Sequence, residues 1–395
     1  MRRPLLAVAA VVALALPGAA AGGGGIGGPQ FGYGPHVQEA RAVTACAVQA
    51  SPVSRYRACL EKSLLQLVER TNDPADELPK IDTYVHTTNG WLANNCHILM
   101  HTVGRRYAAA EHVTLENLLD YLPKTNDPGC SAGFAHGMLI TLGPQIQKLG
   151  PKGAAAECAK ATTRYERYSC VHGLGHAYAR IYLDFPLPSV ASCKLLGRAD
   201  AVDCAQGVFH DYWIAVDGLD NTKQHSDMTT SPRALCGRYR GDFARACWYR
   251  AFLERPPKKP VDTAAAMLAL CRGLRGVQER ACITGASVIR SSDPFEQMAT
   301  CARVPAALAV ACARGVRVPG VALSPRSSRV GLISDCAAFA RAAQFGCYWW
   351  LGKSLNVVTN GRFGRRNCPH LGTPAARKAC AAGAAAYEGP LVTFS

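Results

Sequence analysis

The sequence predicts an all-α fold, a helical-repeat solenoid of disulfide-clamped helix hairpins, from three observations. Cysteines recur in pairs of nearly constant spacing, and the pairs follow one another about every 34 residues. The segments between them are rich in alanine and broken by Gly-Pro or Pro-Gly steps, while the alternating pattern of a strand is scarce. A period of this length accommodates two helices and a turn.

Eight cysteine pairs are 11 to 13 residues apart. We expect each pair to join the end of a helix A to the beginning of a helix B across a turn of about ten residues. Closing so short a loop contributes about 2–3 kcal/mol per bridge in the chain-entropy model. The pairs are Cys46/Cys59, Cys158/Cys170, Cys193/Cys204, Cys236/Cys247, Cys271/Cys282, Cys301/Cys312, Cys336/Cys347 and Cys368/Cys380.

Local signals support the helices of this scheme. Asp262 is a candidate N-cap for the alanine-rich segment that ends at Cys271, and Thr373 followed by Pro374 is a candidate start for the last helix. Pro294 follows an aspartate and precedes a glutamate, which is typical of a first helical turn. The apolar spacing from Leu115 to Leu122 predicts a further helix.

The beginning of the chain is typical of an exported protein. Arg2 and Arg3 precede an apolar run and small residues at Ala19–Ala21, as in a cleaved signal peptide. Eighteen cysteines fit an oxidising compartment, so we expect a secreted or extracytoplasmic location. The predicted divisions are a signal peptide at 1–21, a Gly-rich flexible leader at 22–36, N-terminal repeats with the His/Cys motifs at 37–235, and C-terminal disulfide-clamped repeats at 236–395.

The chain is basic, with a formal net charge of +16, which becomes +14 without Arg2 and Arg3. An exported protein of this charge could bind an anionic cell-envelope component or a protein partner, and the alternative is a basic surface that is only solvated. The basic residues are scattered and no nucleic-acid-binding module is recognisable, so we expect no nucleic acid. No stretch after the predicted signal peptide is long and apolar enough to span a membrane.

Histidine is concentrated in one part of the chain. Three segments follow the formula Cys-x-x-Gly-x-x-His, beginning at Cys130, Cys170 and Cys204, and two segments carry a His-x-x-x-His pair. Later units place Leu253, Val288, Val318 and Ala386 where the first three place histidine, and we expect those to be core residues. The glycine of the formula predicts close approach of a neighbouring helix. The six histidines are His97, His101, His136, His172, His176 and His210.

This pattern predicts a metal site. Histidines at i and i+4 lie one helical turn apart and can hold one ion, and a third imidazole from His136 or His210 would complete each of two three-His sets. Such sets suit zinc, copper or iron. The glutamate of a zincin helix is absent, so no catalytic residue is identified. Asp211 is placed to orient a ligating histidine.

Two alternatives stay open at this point. The histidines could line the inner face of the repeats, bonded to one another and to backbone, without a metal. Cys96 and Cys130, which lie outside the short-spaced pairs, could bridge two units or act as thiolate ligands, and an exported chain favours the disulfide.

Two resemblances are visible. The period and paired cysteines resemble disulfide-stapled, tetratricopeptide-like helical repeats over most of residues 40–390. The segments 96–104, 130–137 and 170–176 are similar to a family of exported microbial proteins with Cys-His-x3-His and Cys-x2-Gly-x2-His motifs, which is uncharacterised and therefore implies no activity.

The sequence therefore favours a secreted metal-binding protein with a poly-histidine site. It leaves open whether this protein is an enzyme, either an oxidoreductase or a hydrolase. The alternative is a non-catalytic scaffold that binds a protein or the cell envelope and in which the histidines are structural. The metal hypothesis predicts that His136, His176 and His210 converge with at least one of the two pairs, with nitrogens of three or more residues about 3–5 Å apart.

Overall fold

The protein is described by a computed structural model over twelve segments: 37–46, 53–71, 73–88, 90–122, 130–183, 186–216, 231–257, 261–288, 294–316, 336–337, 341–358 and 368–385. These residues form seventeen α-helices, two short 3-10 helices and no strand, so the predicted all-α class is confirmed. The predicted signal peptide and the predicted leader lie outside the described residues. None of the described helices is both long enough and apolar enough to cross a membrane.

The helices, in chain order, are α1 Val37–Thr44, α2 Val53–Thr71, α3 Pro74–Thr88, α4 Gly90–Ala110, α5 Cys130–Thr141, α6 Gly143–Cys158, α7 Arg164–Ile181, α8 Pro186–Lys194, α9 Arg198–Val216, α10 Pro232–Cys236, α11 Gly241–Glu254, α12 Ala264–Leu270, α13 Gly276–Ser287, α14 Pro294–Cys301, α15 Ala306–Gly315, α16 Arg341–Val358 and α17 Pro374–Ala385. The 3-10 helices are Leu118–Tyr121 and Cys368–His370.

Nine of these helices form a stacked row, in which each member packs against the next: α4, α5, α7, α9, α11, α13, α15, α16 and α17. From α6 onward a shorter helix precedes most members of the row and packs against the member that follows it. This arrangement is a series of repeated helical hairpins. The row continues from α9 to α11, and the predicted division at residue 235/236 remains a prediction.

All eighteen cysteines form disulfides, and the eight short-spaced pairs are joined as predicted, including Cys271–Cys282. The ninth bridge joins Cys96 to Cys130 and connects α4 to α5 within the row. The alternative in which these two cysteines act as thiolate ligands is therefore wrong.

The position of the second cysteine within its hairpin differs from the prediction. We expected this cysteine to open helix B, but it is the seventh residue of the helix in α7, α9, α11, α13, α15, α16 and α17. The turn is correspondingly shorter than ten residues. In α7 a capping box fixes the earlier start, because the Thr163 hydroxyl accepts from the Glu166 amide and the Glu166 carboxylate accepts from the Thr163 amide.

The predicted helix caps and the predicted helix at 115–122 are confirmed only in part. Thr373 caps the last helix and accepts from the Ala376 amide at 3.1 Å, as expected. The cap of α12 is Thr263 and not Asp262, because the threonine hydroxyl accepts from Ala266 at 3.1 Å. The segment from Leu115 to Leu122 contains only the short 3-10 helix.

The core prediction for the later units can be checked at two of its four positions. Val288 is fully buried, and Leu253 is partly buried against the core. Val318 and Ala386 lie outside the described residues. The aliphatic side chains after His210 therefore contribute to the core where the structure describes them.

Two carboxyl groups are buried together near the beginning of the described chain. Glu39 on α1 and Glu77 on α3 are 2% and 3% exposed. Burial raises the pKa of Glu77 to about 7, a hydrogen bond between Glu77 and Glu39 and repulsion by Glu39 raise it in addition, and Lys80 lowers it. The folded protein is therefore most stable when Glu77 is protonated.

We expect Glu77→Gln to stabilise the protein above pH 7. A raised folded-state pKa contributes stability that is present below about pH 4.5 and is lost as pH rises through about 7. The amide cannot ionise, so the variant should gain about 2–3 kcal/mol over the wild type between pH 5 and pH 8 in denaturant titrations. The exposed Glu116→Gln is the control and should show no such trend. A constant difference between Glu77→Gln and the wild type would contradict the prediction.

Candidate metal centre

The six predicted histidines lie on four consecutive helices of the stacked row. His97 and His101 are on α4 and His136 is on α5, while His172 and His176 are on α7 and His210 is on α9. All six rings meet in one cluster, called here the histidine cluster. The rings of His97 and His210 have centroids 5.1 Å apart, so side chains from the first and fourth of these helices touch.

Ring nitrogens within the cluster lie close enough together to bind a common metal ion. The Nε2 atoms of His97 and His101 are 3.2 Å apart. One nitrogen each from His97, His101 and His136 lie within 4.8 Å of one another, and the same holds for His136, His172 and His176. The predicted convergence of three or more imidazoles is therefore confirmed.

The sequence left open which pair His136 and His210 would each complete. The structure places His136 within reach of both pairs and His210 in neither three-histidine group. His210 joins the cluster beside His176, with ring centroids 4.9 Å apart. The pair His97/His101 and the pair His172/His176 both reach this cluster, although the first pair begins one residue after its cysteine and the second begins two residues after its cysteine.

Glycines allow the helices to approach closely enough for these contacts. A Cβ atom at Gly133 of α5 would lie 2.0 Å from the carbonyl oxygen of His97 on α4. A Cβ atom at Gly207 of α9 would lie 2.0 Å from the carbonyl oxygen of His172 on α7. The glycine of the Cys-x-x-Gly-x-x-His formula is thus the contact point of adjacent helices, as predicted, and it lies against a histidine of the cluster.

Burial keeps four of the imidazoles neutral. His101, His136, His172 and His210 are at most 3% exposed, and His97 is half-buried. Loss of solvation lowers the pKa of each of these four buried rings well below 6.5, and nearby cationic groups and other histidines lower it further. A neutral imidazole has the lone pair that a metal ion requires.

Several ring nitrogens face no hydrogen-bonding group among the described residues. Both nitrogens of His136 are buried without such a partner, as are Nδ1 of His101 and Nδ1 of His210. A buried polar atom left unsatisfied costs about 1–3 kcal/mol. A metal ion would satisfy these atoms, so the donor set fits one.

Asp211 holds His176 in place. Its carboxylate oxygen Oδ1 lies 3.2 Å from Nδ1 of His176, and Arg180 pairs with the same carboxylate at 2.8 Å. His176 and Arg180 lie on α7, and Asp211 lies on the neighbouring helix α9. This is the carboxylate–histidine arrangement that the sequence suggested, and it directs Nε2 of His176 away from Asp211.

Sequence reasoning missed three residues beside the cluster. Glu254 on α11 lies 3.4 Å from Nε2 of His210, and Arg250 pairs with Glu254. Arg250 also approaches Nε2 of His172 at 3.5 Å, and the Tyr168 hydroxyl lies 3.2 Å from Nδ1 of the same ring. Tyr168 lies four residues before His172, so helical spacing could have indicated it.

A fourth missed residue positions α5. Asp82 on α3 is buried, and its carboxylate accepts hydrogen bonds from the backbone amides of Cys130 and Ser131. A negative charge at these first amides stabilises the N-terminus of the helix that carries His136. No local signal indicates this contact, which spans 48 residues.

We expect Asp211→Asn to weaken metal binding by about 10- to 100-fold, because the neutral amide polarises and orients His176 less strongly. Competition with a chromophoric chelator measures the affinity. The control is Asp242→Asn, which alters a surface Asp–Arg pair on α11 away from the histidines. An unchanged affinity for Asp211→Asn would show that Asp211 serves only to pair with Arg180.

No family model, no curated protein and no solved structure matches the chain. The class that the fold and site define is therefore an all-α protein of nine disulfide-linked helix pairs with buried histidine groups that could hold a metal.

Proposed function

We propose that this protein is an extracytoplasmic metal-binding protein and that its histidine cluster binds a transition-metal ion. The observation that carries the proposal is the set of buried ring nitrogens on His101, His136 and His210 that have no hydrogen-bonding partner among the described residues. A solvated or hydrogen-bonded network would leave few such atoms, whereas coordination uses one lone pair from each ring.

The ligand set narrows the choice of ion. Every cysteine is in a disulfide, so no thiolate is available to bind a metal. The two groups of three residues whose potential ligand atoms lie within 4.8 Å of one another contain only imidazoles. Imidazole suits zinc, copper, iron and nickel, while calcium and magnesium prefer oxygen. The nine disulfides indicate an oxidising, extracytoplasmic environment, where metal binding competes with no large thiol pool.

The burial of the cluster bears on whether the protein is an enzyme. Five of the six rings are buried, and His97 alone is half-buried. A polymeric substrate would not reach an ion at this depth, which disfavours a hydrolase of polymers. An oxidoreductase acting on a small molecule or transferring electrons fits the burial better.

Metal analysis of protein purified without a histidine tag tests the proposal. We expect bound iron, copper, zinc or a related ion, or rebinding of one after stripping with a chelator. His136→Gln should lose this binding, and His370→Gln, an exposed histidine outside the cluster, should keep it. A folded protein with no stoichiometric metal and no rebinding would overturn the proposal.

A second candidate is a binding scaffold. The hairpin units continue through α10 to α17, beyond the last histidine of the cluster, and the chain carries a formal net charge of +16. A basic surface on stacked helices fits an anionic cell-envelope polymer. This candidate predicts that replacing all six histidines leaves such binding intact, measured by cosedimentation, and that truncation after Tyr239 weakens it. Unchanged binding after that truncation would contradict it.

A further inference from the structure

The six rings of the histidine cluster are arranged around a common centre. Eleven pairs of ring centroids lie between 4.7 and 6.0 Å apart. His136 and His210 each approach all four rings of the two i, i+4 pairs. The contacts 97–101, 101–176 and 172–176 complete eleven of the twelve edges of an octahedron in which His136 and His210 are opposite vertices.

The ring separations of this octahedron approach those of six imidazoles on one ion, although the ring nitrogens within 4.8 Å of one another form two groups of three that share His136, and His210 is in neither group. Nitrogens bound at about 2.1 Å and at right angles are about 3.0 Å apart, and Nε2 of His97 and His101 are 3.2 Å apart. Rings bound at the same length have adjacent centroids about 4.6 Å apart. The shortest observed separation, His136 to His172, is 4.7 Å, so a contraction of about 1 Å or less brings most pairs of rings to this spacing, and His210 must also turn a nitrogen toward the centre.

We propose that the histidine cluster binds a single divalent ion through all six imidazoles. This inference rests on the proposed function and extends it. Six protein ligands leave no position at the ion for water or substrate, and catalytic sites require such a position. The protein would therefore hold the ion or transfer single electrons through it and would not bind a substrate at the metal.

The surrounding contacts are compatible with one inward nitrogen from each ring. Asp211 engages Nδ1 of His176, and Glu254 lies 3.4 Å from Nε2 of His210, so the remaining nitrogens of these rings are Nε2 and Nδ1. His172 is the exception, because Tyr168 and Arg250 approach both of its nitrogens. This ring exchanges one of those contacts for the metal, so it should be the weakest ligand.

The number of ligands also predicts ion preference. Octahedral nitrogen coordination suits Fe²⁺, Co²⁺ and Ni²⁺, while structural Zn²⁺ is almost always bound by four ligands. The main competing arrangement has two ions that share His136. This residue belongs to both three-histidine groups. Both of its ring nitrogens are also without a hydrogen-bonding partner among the described residues. That arrangement requires His136 to lose its N–H proton to solvent.

Titration of the metal-stripped full-length protein with Co²⁺ tests the inference. We expect one Co²⁺ per chain, the weak visible absorption of six-coordinate Co²⁺, and about six nitrogen scatterers near 2.1 Å by X-ray absorption. His172→Gln should reduce Co²⁺ affinity less than His136→Gln, and the control His370→Gln should leave it unchanged.

Each other outcome has a definite meaning. Intense four-coordinate absorption from one Co²⁺ would overturn the six-ligand site but keep the proposed metal function. Two Co²⁺ per chain, with proton release and loss of both ions in His136→Gln, would show two ions sharing that residue and would also overturn it. A folded protein that binds neither Co²⁺ nor any other transition-metal ion would overturn the proposed function itself.

Discussion

Gly133→Ala is expected to destabilise the protein by about 1–3 kcal/mol or more and to weaken metal binding. The added methyl group would lie 2.0 Å from the carbonyl oxygen and 2.8 Å from the carbonyl carbon of His97, and both are backbone atoms that cannot turn aside. Helices α4 and α5 would have to separate. This cost exceeds the gain of about 1 kcal/mol that alanine brings to a helix interior.

Denaturant titration of the metal-free protein measures the first effect, and chelator competition measures the second. Gly197→Ala is the matched control, because nothing lies within 4 Å of the carbon it would add. Wild-type stability in Gly133→Ala would show that the two helices can move apart at no cost. The close approach would then not be what positions the histidines.

The metal-free protein is expected to lose stability steeply as pH falls below about 6.5. Burial lowers the pKa of His101, His136, His172 and His210 in the folded state, so only the unfolded chain takes up protons there. A lowered folded-state pKa gives stability that is present above the unfolded value and lost as pH falls. Each such histidine contributes a slope of about 1.4 kcal/mol per pH unit.

Four histidines together would give a slope that increases as pH falls and reaches about 5 kcal/mol per pH unit near pH 5.5. The measurement is a series of denaturant titrations between pH 7.5 and pH 5.5 on chelator-treated protein. Glu77 changes stability in the opposite direction over part of this range, so the series is best run in Glu77→Gln. His136→Gln should reduce the slope by about a quarter. A pH-independent stability would show that the imidazoles are hydrated or protonated in the folded state.

The hairpins and all but one of the disulfide pairings followed from cysteine spacing alone, because a bridge between residues 11 to 13 apart fits only a tight connection. The spacing of the two cysteines does not show where between them the turn ends and helix B begins. The position of the helix start was therefore wrong in the prediction, although the pattern Thr163-x-x-Glu166 marks it directly. A capping threonine marks the helix start in α7 and in the last helix, whereas α11, α13 and α15 begin without a side-chain cap.

Convergence of the histidines was predictable from the repeated formula, but their grouping was not. Whether His136 or His210 completes the pair at His172 and His176 depends on how the row curves, which is set by contacts between helices far apart in sequence. The same limit applies to Asp82, Arg250 and Glu254. Each reaches the site from a helix whose own sequence carries no sign of it.

The bridge between Cys96 and Cys130 has a consequence for the timing of maturation. Cys96 is the residue before His97, and Cys130 is the first residue of the helix that carries His136, so the bridge joins two of the helices that carry the histidine cluster. In a reducing compartment these helices would lack that fastening, and the newly made chain would be a poor competitor for intracellular metal. Oxidation would thus come first and loading second, so the ion would be drawn from the metal supply outside the cytoplasm.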